Sequence, residues 1–135
     1  MIPDTCILNL TSNDAWLAAV GPAGIWRGKK GVYHDDSLST QGFIHCSTSS
    51  QIVDVANAFY HGLQGLVLLV IDPDRLTSEL KWEPPVHPNP ERTAMVGNEL
   101  FPHVYGPINL DAVVNVISFE PAADGTFSLP PELNL

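Results

Sequence analysis

The sequence predicts a single α+β domain, and three observations carry that prediction. Leu66-Val67-Leu68-Leu69-Val70-Ile71 is an unbroken apolar run with no polar alternation, the pattern of a central strand covered on both faces. Only two stretches, one after Thr11 and one after Thr48, carry the apolar spacing of amphipathic helices. The remaining strand-like segments are short and broken up by twelve prolines and ten glycines, which excludes a regular βαβ winding. A length of 135 residues fits one domain, residues 1–135.

The elements follow in order. Cys6-Ile7-Leu8-Asn9-Leu10 reads as a first, mostly buried strand. Thr11 is placed to cap a helix, with Asp14 three residues on as in a capping box. Trp16, Leu17 and Val20 give this helix an apolar face, and Gly21-Pro22 stops it. Residues 23–41 read as irregular and polar. Residues 42–47 read as a short strand whose alternation sets Phe43, His45 and Ser47 on one face and Ile44 and Cys46 on the other. Thr48 with Gln51 makes a second capping box, and Ile52, Val55, Ala56 and Phe59 follow at i, i+3, i+4 and i+7. His61 falls in the last turn of that helix and Gly62 ends it. After the central strand, Asp72-Pro73 caps a single helical turn. Lys81-Trp82-Glu83 reads as a short strand, and residues 84–99 as a long proline-rich loop over a site. Phe101 to Tyr105 is extended, with Pro102 demanding an edge or a bulge. Ala112 to Phe119 is a β-branched strand, and Asp124-Gly125 a hairpin turn into Thr126-Phe127-Ser128-Leu129.

Composition narrows the function. Six Lys plus Arg stand against fifteen Asp plus Glu, a formal charge of −9. Such a chain is poorly suited to meet nucleic-acid phosphates or an anionic membrane surface. The N-terminus lacks the basic and apolar regions of a signal peptide, and no apolar run is long enough to span a bilayer, so a cytoplasmic location is expected. Cys6 and Cys46 form no CxxC motif and are expected as buried thiols. GxGxxG, Walker, GxSxG and HExxH patterns are absent.

The candidate chemistry gathers at a few positions. His45 and Ser47 form a polar pair on an otherwise apolar strand, next to the start of a helix, whose free N–H groups favour anions. The alternative is a buried histidine whose needs are met locally. His103 and Tyr105 flank Val104 and so share a face, on a backbone stiffened by Pro102, Gly106 and Pro107. Glu83 follows Trp82, whose bulk would desolvate the carboxylate and raise its pKa for acid–base work; a solvated charge at a strand end is the plainer reading. Glu99 is the next candidate carboxylate. His34, His61 and His87 are scattered, and the basic cluster Arg27, Lys29 and Lys30 reads as a solvated loop. A zinc site from His45, His103 and Glu83 is chemically conceivable, but no spacing supports it and no metal is expected.

The blocks Gly42-Phe43-Ile44-His45-Cys46-Ser47-Thr48, Leu66 to Asp72, Lys81-Trp82-Glu83, Phe101-Pro102-His103-Val104-Tyr105-Gly106-Pro107, Ala112-Val113-Val114 and Asp124-Gly125 occur in that order. Together they resemble domain-of-unknown-function family 952, with a family-like core of about residues 7–129. That family is similar in turn to the ADP-ribosyltransferase superfamily, and to RNA 2′-phosphotransferases in particular. The resemblance implies two packed, mostly antiparallel sheets with two main helices and a cleft for NAD as substrate. It places His45 and Ser47 at the nicotinamide-ribose end; Glu83, His103 and Tyr105 belong to the family's own pattern, and chemistry gives the roles expected there, with Glu83, His45 and His103 catalytic and His45, Ser47, Thr48 and Tyr105 binding the nucleotide. In that scheme Tyr105 stacks on a ring, His103 bonds a phosphate or hydroxyl, and Glu83 steadies a cation-like transition state. The chain departs from the phosphotransferases on its first strand, where Leu8-Asn9 stands in place of their Arg-His pair. The toxin-type Glu-x-Glu is also absent.

The function expected is therefore an NAD- or nucleotide-binding transferase or NAD glycohydrolase acting on a small molecule or protein. A non-catalytic nucleotide sensor or partner-binding module on the same scaffold is the alternative, and a small metal-dependent hydrolase the second. The charge speaks against an RNA substrate, since no Lys or Arg lies between Lys30 and Arg75.

Overall fold

The structure, a computed structural model, describes residues 5–21, 26, 31–34, 36–84 and 100–133. In chain order the elements are β1 (Ile7–Ser12), α1 (Asn13–Val20), β2 (Val32–Tyr33), α2 (Asp36–Gln41), β3 (Ile44–His45), α3 (Ile52–Phe59), β4 (Leu66–Ile71), β5 (Glu79–Glu83), β6 (Phe101–Tyr105), β7 (Ile108–Asn109) and β8 (Val113–Ser118). Short 3₁₀ turns cover Pro73–Arg75, Leu110–Ala112 and Pro131–Leu133. The basic cluster, His87, Glu99 and nearly all of the proline-rich loop lie outside the described residues.

The apolar run is the middle strand of a sheet ordered β1-β4-β8, and all six of its residues are buried. Alternation sends Val67, Leu69 and Ile71 into one hydrophobic cluster and Leu66, Leu68 and Val70 into another. The first cluster is closed by Trp16 of α1, Tyr33 of β2, and Ile44 and Val104 of a second three-stranded sheet, β3-β6-β5. The second is closed by Ile52 and Ala56 of α3 and by Phe119, Phe127 and Leu133. Each fully buried Leu, Ile or Val contributes about 1.5–3 kcal/mol relative to exposure, so this double-sided strand anchors both cores.

The α+β class stands, and several finer expectations are corrected. Among the described residues three antiparallel sheets form rather than two, because Gly106-Pro107 breaks the chain after β6 and lets β7 pair with β2 as a separate ribbon. Three α-helices form among the described residues rather than two. The extra one, α2, falls in the stretch read as irregular: it is six residues long and mostly polar, with Leu38 packed on the first cluster. Gly42, at φ +89°, ends it by donating its N–H to Ser37 O and Leu38 O at 3.2 and 3.1 Å. Ser12, not Thr11, caps α1, accepting from Ala15 N at 3.0 Å, while the Thr11 hydroxyl accepts from Tyr33 Oη at 2.7 Å. Half of the second capping box forms: Gln51 Oε1 accepts from Thr48 N at 3.0 Å, while Thr48 Oγ1 bonds Ser50. The strand expected from Ala112 starts at Val113, since Ala112 completes a 3₁₀ turn.

The turn at Asp124-Gly125 forms, with Asp124 Oδ1 accepting from Thr126 N and Oγ1. Among the described residues no strand follows it. Phe127 instead docks on α3, where Asn57 Oδ1 accepts from its N–H at 2.7 Å and Asn57 Nδ2 donates to its carbonyl at 3.2 Å. His61 lies beyond the helix end at Phe59 and packs on the turn; a Cβ on Gly125, at φ +88°, would come within 2.6 Å of its ring.

Pro102 sits in β6, the middle strand of its sheet and not an edge. Its carbonyl accepts from Cys46 N at 3.0 Å, so its bonding side faces β3 and the ladder to β5 needs nothing from it. The missing N–H falls where β3 ends, after His45, and the chain there turns to β1: Leu8 and Ser47 exchange both backbone bonds, at 2.7 and 2.8 Å.

Candidate functional site

The β3-β6-β5 sheet has one face in the core and one turned away from it. Register pairs His45 and Lys81 with His103 from either side, Glu79 with Tyr105, and Glu83 with Phe101. Strand alternation therefore gathers His45, His103, Tyr105, Lys81 and Glu83 on the outer face, while Ile44, Val104 and Leu80 point into the first cluster.

Glu83 is the hub of this face. Its Oε1 accepts from Tyr105 Oη at 2.6 Å and from His103 Nδ1 at 2.9 Å. Two donors to one oxygen, Tyr105 foremost, hold the Glu83 carboxyl below its usual pKa. The expected upward shift is thus corrected: Trp82 points to the opposite side of the strand and is exposed, so it does not desolvate its neighbour. The same bond pushes the Tyr105 hydroxyl above its usual range. An ionised Glu83 has no proton to give, so His103 must carry one on Nδ1.

His103 is buried, only 1% exposed, and Phe43 stacks on it at 4.2 Å with planes 21° apart. Phe43 also lies 4.8 Å from the His45 ring and 5.2 Å from Tyr105. The two imidazoles meet edge to face at 5.4 Å. His45 Nε2 donates to Gln41 Oε1 at 2.5 Å, and the His45 carbonyl accepts from Asn9 Nδ2 at 2.8 Å. Asn9 itself is buried, and its Oδ1 has no hydrogen-bond partner. Lys81 Nζ stands 4.9 Å above the centre of the Tyr105 ring.

Of the residues singled out in the sequence, His45, Glu83, His103 and Tyr105 come together. Ser47 and Thr48 do not join them: Ser47 is engaged with Leu8, and Thr48 leads into α3. Glu99 is not described. Sequence reasoning passed over Lys81, Gln41 and the stacking role of Phe43. Lys81 was signalled by its alternation with Glu83, and Phe43 by sharing a face with His45. Gln41, supplied by a helix not foreseen, carried no signal. Among the described residues no group of three or more His, Cys, Asp or Glu side chains is disposed to hold a metal. Cys6 and Cys46 are buried thiols, and burial raises the Cys6 thiol pKa.

The family described as "Protein of unknown function (DUF952)" matches residues 22–116, a span that holds every side chain of this face. The chain belongs to that family. Its DUF952 portion thus includes β2 through most of β8 and excludes β1, the source of Asn9. The crystal structure of protein CC0527 from Caulobacter crescentus is similar to this chain at 28% identity and a TM-score of 0.75, covering 97% of this chain and 100% of that one. A double mutant of the same protein gives 27% identity and 0.74 over the same shares. Its solution NMR structure gives 26% and 0.59 over 90% of each chain. None of the curated proteins matches the chain. Among the described residues no helix is long and apolar enough to cross a membrane.

Proposed function

We propose that this DUF952 protein is an NAD- or nucleotide-binding enzyme of the ADP-ribosyltransferase kind, acting at the anomeric carbon of a ribose. The observation that carries the reading is Glu83: a carboxylate kept ionised by Tyr105 and His103, part-exposed on a face that also presents His45. Cleavage of the bond between C1′ and nicotinamide sends the electron pair out on the nicotinamide and leaves positive charge on the ribose. A fixed anion facing that charge lowers the barrier more than a titrating acid would. Tyr105 and His103 then serve as positioning residues for Glu83 rather than as a stacking ring and a phosphate donor. His45, with its ring on Gln41, holds a ribose hydroxyl. The acceptor, water or a nucleophile, attacks C1′ and loses its proton to solvent.

Incubation with NAD⁺ tests this, with release of free nicotinamide as the readout. Glu83→Gln is expected to abolish release while an NAD⁺-induced rise in melting temperature persists; His45→Ala is expected to remove that rise. Absence of both nicotinamide release and any thermal shift with NAD⁺ or ADP-ribose would sink the proposal. A second reading, a nucleotide sensor without turnover, is favoured by Asn9, whose amide is spent on the His45 carbonyl where the phosphotransferases have an Arg-His pair. It predicts the thermal shift without the release.

A further inference from the structure

Lys81 lies at the middle of β5, an outer strand of this sheet, paired in register with His103 and flanked on its own strand by Glu79 and Glu83. The Lys and Arg side chains among the described residues are Lys81 and Arg75. Arg75 is committed to Asp72 at 3.4 Å, whereas Lys81 is in no ion pair among the described residues. Glu83 Oε1 already has its two donors, and Tyr105 holds the ammonium only by its ring face. We propose that Lys81 takes the phosphate of the nucleotide ligand and makes the site select phosphorylated nucleotides over nucleosides.

The assignment rests on the nucleotide reading of the same site, and the electrostatics require something like it. A chain of charge −9 repels a phosphate, and Glu79 and Glu83 add to that repulsion at close range. A phosphate therefore settles on this face only against a local cation. Lysine serves as a point charge with three donors, which suits a phosphate oxygen. An exposed cation–π contact is weak enough to be exchanged for a charge-assisted hydrogen bond. Tyr105 thus parks the ammonium beside the site without consuming it. The placement also orders the ligand: phosphate toward Lys81 on the outer strand β5, ribose toward Glu83 and His45.

Calorimetric titration of the full chain with ADP-ribose and with phosphate-free nicotinamide riboside tests the assignment. Lys81→Gln is expected to weaken ADP-ribose about tenfold, the worth of one charged hydrogen bond, and to leave nicotinamide riboside unchanged. Lys81→Arg is expected to retain most of the ADP-ribose affinity. Because Lys81 is exposed, both variants should melt with the parent protein in the absence of ligand. Unchanged ADP-ribose affinity in Lys81→Gln, or equal loss for both ligands, overturns the role of Lys81 while leaving the nucleotide site standing. A parent protein that binds neither ligand overturns the nucleotide reading and the Lys81 assignment with it.

Discussion

Tyr105 and Glu83 share one hydrogen bond that shifts two pKa values in opposite directions, and the pH dependence of stability follows from the signs. Glu83 is lowered, so its contribution is complete above the ordinary carboxylate pKa, about 4.3, and is lost as pH falls through the folded value. Tyr105 is raised, so its contribution is complete below the ordinary phenol pKa, about 10, and is lost as pH rises through the folded value. Tyr105→Phe removes the shared bond. Its melting temperature between pH 3 and 11 should therefore fall less steeply at both extremes than that of the parent; two parallel curves would contradict this account. The pairing of His103 with Tyr105 was legible in the sequence, because flanking one residue in a strand fixes a shared face. The pKa direction of Glu83 was not. It depends on cross-strand donors some twenty residues away, and no local pattern reports them.

Among the elements, β4 was readable as an unbroken apolar run and α3 by its apolar period, whereas the two-residue strands β2 and β7 are too short to carry a pattern, and other differences occur where side chains replace regular pairing. The C-terminal segment is the clearest case. Thr126-Phe127 has the composition of a hairpin strand, yet Asn57 supplies both the acceptor and the donor that a partner strand would have offered. Asn57→Ala should cost about 1–3 kcal/mol by urea denaturation, since it leaves the Phe127 backbone groups unpaired in a part-buried place. An unchanged midpoint would show that the segment is held by Phe127 packing alone. The helix α2 escaped notice for the opposite reason: six residues with one large apolar side chain present no periodicity, and it is tertiary contact through Leu38 and the Gly42 cap that makes it a helix. The rule that proline in a strand needs an edge fails at Pro102, because the side facing away from its missing N–H pairs normally.

At the scale of the molecule, β4 belongs to both cores, so neither should melt without the other. Leu68 lies in the cluster under α3 and is fully buried, while Trp16 reports on the opposite cluster. Leu68→Ala is expected to cost about 2–5 kcal/mol. Tryptophan fluorescence and far-UV circular dichroism should still trace a single coincident transition, and a split between the two probes would mean that the cores unfold separately. The run from Leu66 made this architecture foreseeable; the division into three sheets was not, because it depends on one Gly-Pro break. The bond pair between Leu8 and Ser47 bears on where this protein can be cut. The residues that define the family begin at 22, yet the strand that stitches Ser47 and grips the His45 carbonyl through Asn9 lies before them. A fragment trimmed to the family boundary would carry every side chain of the outer face and lack the tether that sets His45 among them, so the independently folding unit is longer than the family signature.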